Sequence, residues 1–190
     1  MMRRTMDRLT ADSSVLVVVD VQERLAAAMP NDTMARLVQN AEILLEAAAR
    51  LRIPVLVSEQ YKKGLGPTVS PLRERFEAMG VAPIEKIDFD ACAEPAFARA
   101  LTGTHARQAV VLGMEAHICV FQTARELSRR GYTTYVVEDA VASRREENRT
   151  AGLSLVSRAG AIPTVTEAVA FDWLGRAGSE DFKAISRLVK

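Results

Sequence analysis

The sequence predicts an α/β protein, with a parallel β-sheet between two layers of helices, in a single domain spanning residues 1–190. Three observations predict it. Strand and helix signals alternate along the chain. The first strong apolar run, residues 15–19, is rich in valine and has no polar alternation, as a strand covered on both faces requires. The chain has 190 residues, 48% of them hydrophobic, enough to bury one ordinary core, and it carries no linker, internal repeat or low-complexity stretch.

Residues 14–20 read as the first strand. Asn31-Asp32 offers an N-cap to a helix over 33–50, whose Leu37, Ala41, Leu44, Leu45 and Ala48 share one face. A second strand follows at 53–58, then a Gly-Leu-Gly-Pro loop at 64–67, a short helix at 71–79 and a short strand at 84–87. Residues 94–101 are helical, and 108–114 form a strong strand. A helix runs from about His117 to Arg130 and ends at Gly131, the residue type that terminates helices in a left-handed turn. Then come a strand at 133–138, a helix at 146–158, a strand at 162–165 and an amphipathic tail helix at 180–190 suited to packing. Repeated β-α-β order calls for parallel strands with right-handed crossovers and helices on both faces.

Composition excludes several classes. The formal net charge is +1 and the two signs are mixed along the chain, so neither nucleic acid nor an anionic membrane is an expected partner. Arg3, Arg4 and Arg8 near the start precede no apolar run of signal-peptide type, and no stretch approaches the ~18 apolar residues of a membrane span. A cytoplasmic location is expected. Cys92 and Cys119 do not make a disulfide framework.

In parallel sheets of this kind, ligands sit beyond the carboxyl ends of the strands. Asp20, Lys86 and Cys119 fall at such ends. A free thiol with a pKa of ~8.5 is only a few per cent thiolate at neutral pH and needs a base or a positive environment. Cys119 is expected in the first turn of its helix, where unpaired N–H groups favour negative charge and could stabilise an oxyanion. Asp20 could take the thiol proton and return it to a leaving group. Lys86 would favour the charged forms, and the thiol is expected to titrate well below 8.5. Each residue also has a plain structural role available: a buried small hydrophobe for Cys119, a turn residue for Asp20, a solvated charge for Lys86. Cys92 reads as structural and His105 as a surface loop residue. His117 stands two positions before Cys119, so their side chains diverge on a helix, and it reads as a pocket-wall or capping residue.

Residues 17–22 (Val-Val-Val-Asp-Val-Gln), 85–89 (Glu-Lys-Ile-Asp-Phe) and 113–120 (Gly-Met-Glu-Ala-His-Ile-Cys-Val), with Thr123-Ala124 behind them, resemble the isochorismatase-like cysteine hydrolases. The resemblance runs from about Ser13 to Ala168. The stretch 58–68 resembles the subgroup called isochorismatase domain-containing proteins. It implies a six-stranded parallel sheet and a catalytic triad of Asp20, Lys86 and Cys119. It also implies a cis peptide at Met114–Glu115, with an oxyanion hole made by the N–H groups of Glu115 and Cys119. Metal-binding relatives carry an Asp-x-His pattern plus a further His after the second strand. Here that region reads Ser58-Glu59-Gln60-Tyr61, so no catalytic metal and no cofactor are expected. The implied reaction is hydrolysis of a small amide or a related C–N or ester substrate through a covalent Cys119 intermediate. By position, the substrate-contacting candidates are Gln22, Gln60, Tyr61, Phe89, His117 and Ile118. A homo-oligomer, a dimer or larger, is expected. The competing reading is a non-catalytic oligomeric binding or assembly protein that retains the hydrolase fold. Redox sensing by Cys92 with Cys119 is a weaker third.

Overall fold

In the computed structural model, which describes residues 8–189, six strands form one parallel sheet in the order β3-β2-β1-β4-β5-β6. Arg3, Arg4 and Lys190 lie outside the described residues. The chain runs β1 (Ser14–Val19), α1 (Glu23–Ala26), α2 (Asn31–Leu51), β2 (Val55–Gln60), α3 (Lys62–Leu65), α4 (Ser70–Ala78) and β3 (Ile84–Lys86). It continues with α5 (Pro95–Gly103), β4 (Gln108–Met114), α6 (Phe121–Arg129), β5 (Thr133–Ala142), α7 (Glu146–Arg158), β6 (Ile162–Thr164), α8 (Thr166–Leu174) and α9 (Glu180–Leu188).

The unbroken apolar run of β1 is explained by its central place. Leu16 and Val18 enter one core with Leu37, Leu44 and Leu45 of α2, Phe76 of α4, Trp173 of α8 and Ile185 of α9. Val15, Val17 and Val19 enter the other, with Phe97 and Leu101 of α5, Leu127 of α6 and Val156 of α7. Period-two alternation therefore feeds two cores rather than a core and solvent.

Several features differ from the sequence expectation, among them the unexpected short helix α1 and a β5 that runs on past 138 to Ala142. Residues 64–67 do not form a plain loop, because the short turn α3 occupies their first half. Residues 166–174, for which no helix was expected, form α8. Its first turn is capped from a distance: Thr166 donates through both N–H and Oγ1 to Asp139 Oδ1 at 2.9 Å. The helix expected from about His117 begins as a π-helical turn, Ala116–Val120, before the α-helical hydrogen bonding of α6.

The strand order reverses direction between β1 and β4, the position where a parallel sheet opens a crevice at its carboxyl edge. Gly113 lets the two strands close up there. Its φ is +127°, and a Cβ would collide with the Val19 carbonyl. Only glycine combines that backbone with that approach.

Candidate active site

Asp20 leaves β1 with φ 51°, a left-handed conformation that Asp tolerates better than most side chains. Its N–H donates to the Ser58 carbonyl at 3.1 Å, so the turn is tied to the end of β2. Its carboxylate is fully buried and accepts from Ser58 Oγ at 2.7 Å and from Lys86 Nζ at 2.7 Å. Lys86, at the end of β3, is only 1% exposed. Its ammonium also donates to Gln60 Oε1 at 2.6 Å and to the carbonyl of Asp88 at 3.1 Å, with the Phe89 carbonyl further off at 3.4 Å. Burying two charges is tolerable only with bonding this complete.

Cys119 sits in the π-helical turn after β4, not in the first turn of an α-helix as the sequence suggested. The Met114–Glu115 peptide before the turn is cis. Two N–H groups, of Ile118 and Val120, converge on the Glu115 carbonyl at 3.0 and 3.3 Å and wind the turn. Cys119 is 6% exposed, and its thiol neighbours both Asp20 and Lys86. The expectation of an acidic thiol is overturned. Burial pushes the Cys119 thiol up to about 12, the Asp20 carboxylate adds to the rise, and Lys86 opposes it. Desolvation and a neighbouring anion outweigh one cation that already has a counterion. At neutral pH, Cys119 is therefore a protonated thiol beside a carboxylate that can accept its proton. Cys92, also free, is likewise pushed up to about 12, by burial first and then by Asp90.

The remaining candidates divide. Gln22 is wholly buried, and its amide serves the protein: Nε2 donates to the carbonyls of Gln60 and Gly66, and Oε1 accepts from Gln60 N–H. Gln60 holds Lys86. Tyr61 and Phe89 are about half exposed, 50% and 52%, and stand with Ile87 beyond the ends of β2 and β3. His117 bonds through Nδ1 to Ser143 Oγ at 3.0 Å, and Ile118 packs on the α5–α7 core. The Glu115 carboxylate is taken up by Arg144, whose N–H and Nε reach it at 3.1 and 3.0 Å. Glu59 binds Lys62 at 2.9 Å and Thr68. Ser58, Ser143 and Arg144 are the residues that sequence reasoning missed. The parallel pairing of Val19 with Ser58 is the signal that could have found the first of them. Among the described residues, no group of three or more His, Cys, Asp or Glu is arranged to hold a metal ion. A cavity of about 470 Å³, lined by Ser13, Arg107, Gln108 and Thr133 among others, lies at the opposite, amino edge of the sheet and takes no part.

Fold and site together define a three-layer α/β/α protein of the hydrolase type, with a buried cysteine beside a carboxylate–ammonium pair. Residues 14–168 match the isochorismatase domain, and the chain belongs to the isochorismatase family. Among its relatives, the secreted isochorismatase effector Isc1 of Phytophthora sojae is 35% identical over 192 residues, covering 98% of this chain and 89% of that protein. Isochorismatase domain-containing protein 2A of Mus musculus is 32% identical over 189 residues, covering 99% and 88%. A solved structure called MAR1 ribonuclease, from Caenorhabditis elegans, superposes with a TM-score of 0.86 at 35% identity, covering 96% of this chain and 92% of that one.

Proposed function

We propose that the protein is a cysteine hydrolase of small amides or related C–N or ester substrates, with Asp20, Lys86 and Cys119 as its catalytic groups and no metal or cofactor. The observation that carries this reading is the buried Asp20–Lys86 pair at 2.7 Å, set beside a thiol whose proton needs a base. The Cys119 sulfur attacks the substrate carbonyl carbon while its proton passes to Asp20. The N–H groups of Glu115 and Cys119 receive the oxyanion. The C–N bond breaks as Asp20 returns the proton to the leaving nitrogen, and a thioester remains. Water then attacks the thioester, giving up a proton to Asp20. Collapse releases the acid, and the proton goes back to sulfur. Lys86 keeps Asp20 in place and balances its charge throughout. Tyr61, Phe89, His117 and Ile118 are the substrate-facing candidates. Two free thiols suit the cytoplasm, which cell fractionation would check against the secreted location named for the Phytophthora sojae relative.

A particular pH signature tests the reading. If the thiol proton moves to Asp20, the reactive pair keeps its total proton count. Alkylation of Cys119 by iodoacetamide should then be nearly flat from about pH 6 to 9. In Asp20→Asn the thiol must lose its proton to solvent, and the rate should climb about tenfold per pH unit. A wild-type rate that climbs in the same way sinks the mechanism. A screen of amides, esters and single-stranded RNA, with Cys119→Ala as blank, identifies the substrate.

The assembly reading has one observation in its favour: Tyr61, Ile87 and Phe89, exposed at 50%, 68% and 52%, form an apolar rim beyond β2 and β3. A second copy of the chain would cover it, and we infer a homo-oligomer of two or more copies, which solution mass reads directly.

A further inference from the structure

The shell around Lys86 contains a residue with a defined task. An ammonium has three donors, and here they meet Asp20 Oδ2, Gln60 Oε1 and the Asp88 carbonyl at 2.7, 2.6 and 3.1 Å. One of these acceptors is a charge and two are neutral. The amide of Gln60 has only one sensible orientation. Its Nε2 donates to the Ile87 carbonyl at 2.6 Å, so Oε1 must face the ammonium. The flipped amide would set –NH₂ against –NH₃⁺ and oxygen against oxygen. The backbone of Gln60 is fixed in turn by Gln22, which bonds its N–H at 2.7 Å and its carbonyl at 3.0 Å from a wholly buried side chain.

We propose that Gln60 is a positioning residue for Lys86: its neutral amide oxygen completes the ammonium's shell without adding a charge, so that Asp20 is, among the described residues, the sole counterion in contact with it. This inference rests on the hydrolase reading above, since it assigns Gln60 to the reacting pair rather than to substrate. The surrounding ionisable groups leave that task to Gln60. Asp20 comes from β1 and Cys119 from the π-helical turn. On β2, Glu59 turns away to Lys62 and Thr68. On and after β3, Glu85 accepts from the Lys62 N–H, Asp88 supplies its carbonyl, and Asp90 caps Cys92. Glu115 beside the turn is held by Arg144. Among the described residues, no second carboxylate is bonded to Lys86.

Gln60→Glu keeps the shape and adds that second carboxylate. Protonation of the enlarged cluster then occurs at higher pH, because two anions share one cation. The acid limb of Cys119 alkylation, followed from pH 4 to 9 by peptide mass spectrometry, should move up by about one pH unit. Gln60→Met keeps the volume and removes the strong acceptor. Its plateau rate should fall about tenfold or more while Cys92 labelling, the control for general loosening, stays unchanged. A purely structural Gln60 would raise Cys92 labelling or lower the melting temperature and leave the limb where it was. An unmoved limb in Gln60→Glu overturns the inference, as does a Gln60→Met plateau at the wild-type level. If the wild-type profile itself is not flat, the hydrolase mechanism fails first. If it is flat and the Gln60 variants behave as wild type, only the task assigned to Gln60 fails.

Discussion

At the residue scale, the site combines two choices that would each be costly alone. Asp20 and Lys86 are a charged pair with almost no exposure, and every strong donor and acceptor around them is engaged. Removing one partner leaves an uncompensated buried charge, whereas removing both leaves neutral groups. Lys86→Met should therefore cost about 3–5 kcal/mol in urea denaturation. Asp20→Asn with Lys86→Met should cost clearly less than the sum of the two single changes. Strict additivity would mean the ion pair is not coupled. The three residue types and their strand-end positions were legible in the sequence, because a parallel sheet gathers its carboxyl ends whatever lies between them. The acidity of Cys119 was not. It depends on burial and on how far Lys86 is already occupied by Asp20, and neither is a property of a local motif. The tasks of Gln22 and Gln60 were hidden for the same reason. A glutamine near a site reads as a substrate contact until its amide is found engaged on both ends.

At the element scale, the π-helical turn that carries Cys119 is held from behind by α7. Gly152 of α7 packs so closely that a Cβ there would lie 2.7 Å from the Ala116 carbonyl carbon and the His117 nitrogen. Two neighbouring contacts pull in the same direction: His117 on Ser143 and Glu115 on Arg144, both from the segment between β5 and α7. Gly152→Ala sets two effects against each other. Alanine favours the helix by ~1 kcal/mol. Overpacking against a backbone that cannot yield costs ~1–3 kcal/mol. At 2.7 Å the clash should win, with a net loss of stability and a changed Cys119 alkylation rate beside an unchanged Cys92. A stabilised Gly152→Ala would mean that the turn gives way freely. The strand–helix alternation was readable because each long element carries its own periodicity. Helix α8 was not, since its cap comes from Asp139, 27 residues earlier, and its Trp173 is anchored to Ser14 Oγ at 2.9 Å across the chain. The π-helical form of the Cys119 turn was equally hidden, because π and α turns share one apolar pattern.

At the scale of the whole molecule, two buried thiols couple folding to alkaline pH. Cys92 and Cys119 both lie in the core on the α5–α7 side of the sheet, and burial is the first cause of the rise of each to about 12. In the unfolded chain a thiol ionises at ~8.5. Between these values the folded protein keeps protons that the unfolded chain releases, so stability must fall as pH rises. The contribution is complete below about pH 8.5 and is lost progressively towards about pH 12, at up to ~1.4 kcal/mol per pH unit for each thiol. Tyr132, also raised by burial and by Cys92, acts in the same direction. Cys92→Ala removes one of these groups and also loses some packing. The packing loss lowers stability by a constant at every pH, but the missing thiol flattens the slope. Urea midpoints at pH 7, 8.5 and 10 separate the two effects. The variant should begin less stable and lose less on going to pH 10. Parallel lines for variant and wild type would show that Cys92 ionises in the folded state at the same pH as in the unfolded chain, and that the α5–α7 core is more open to water than its packing implies.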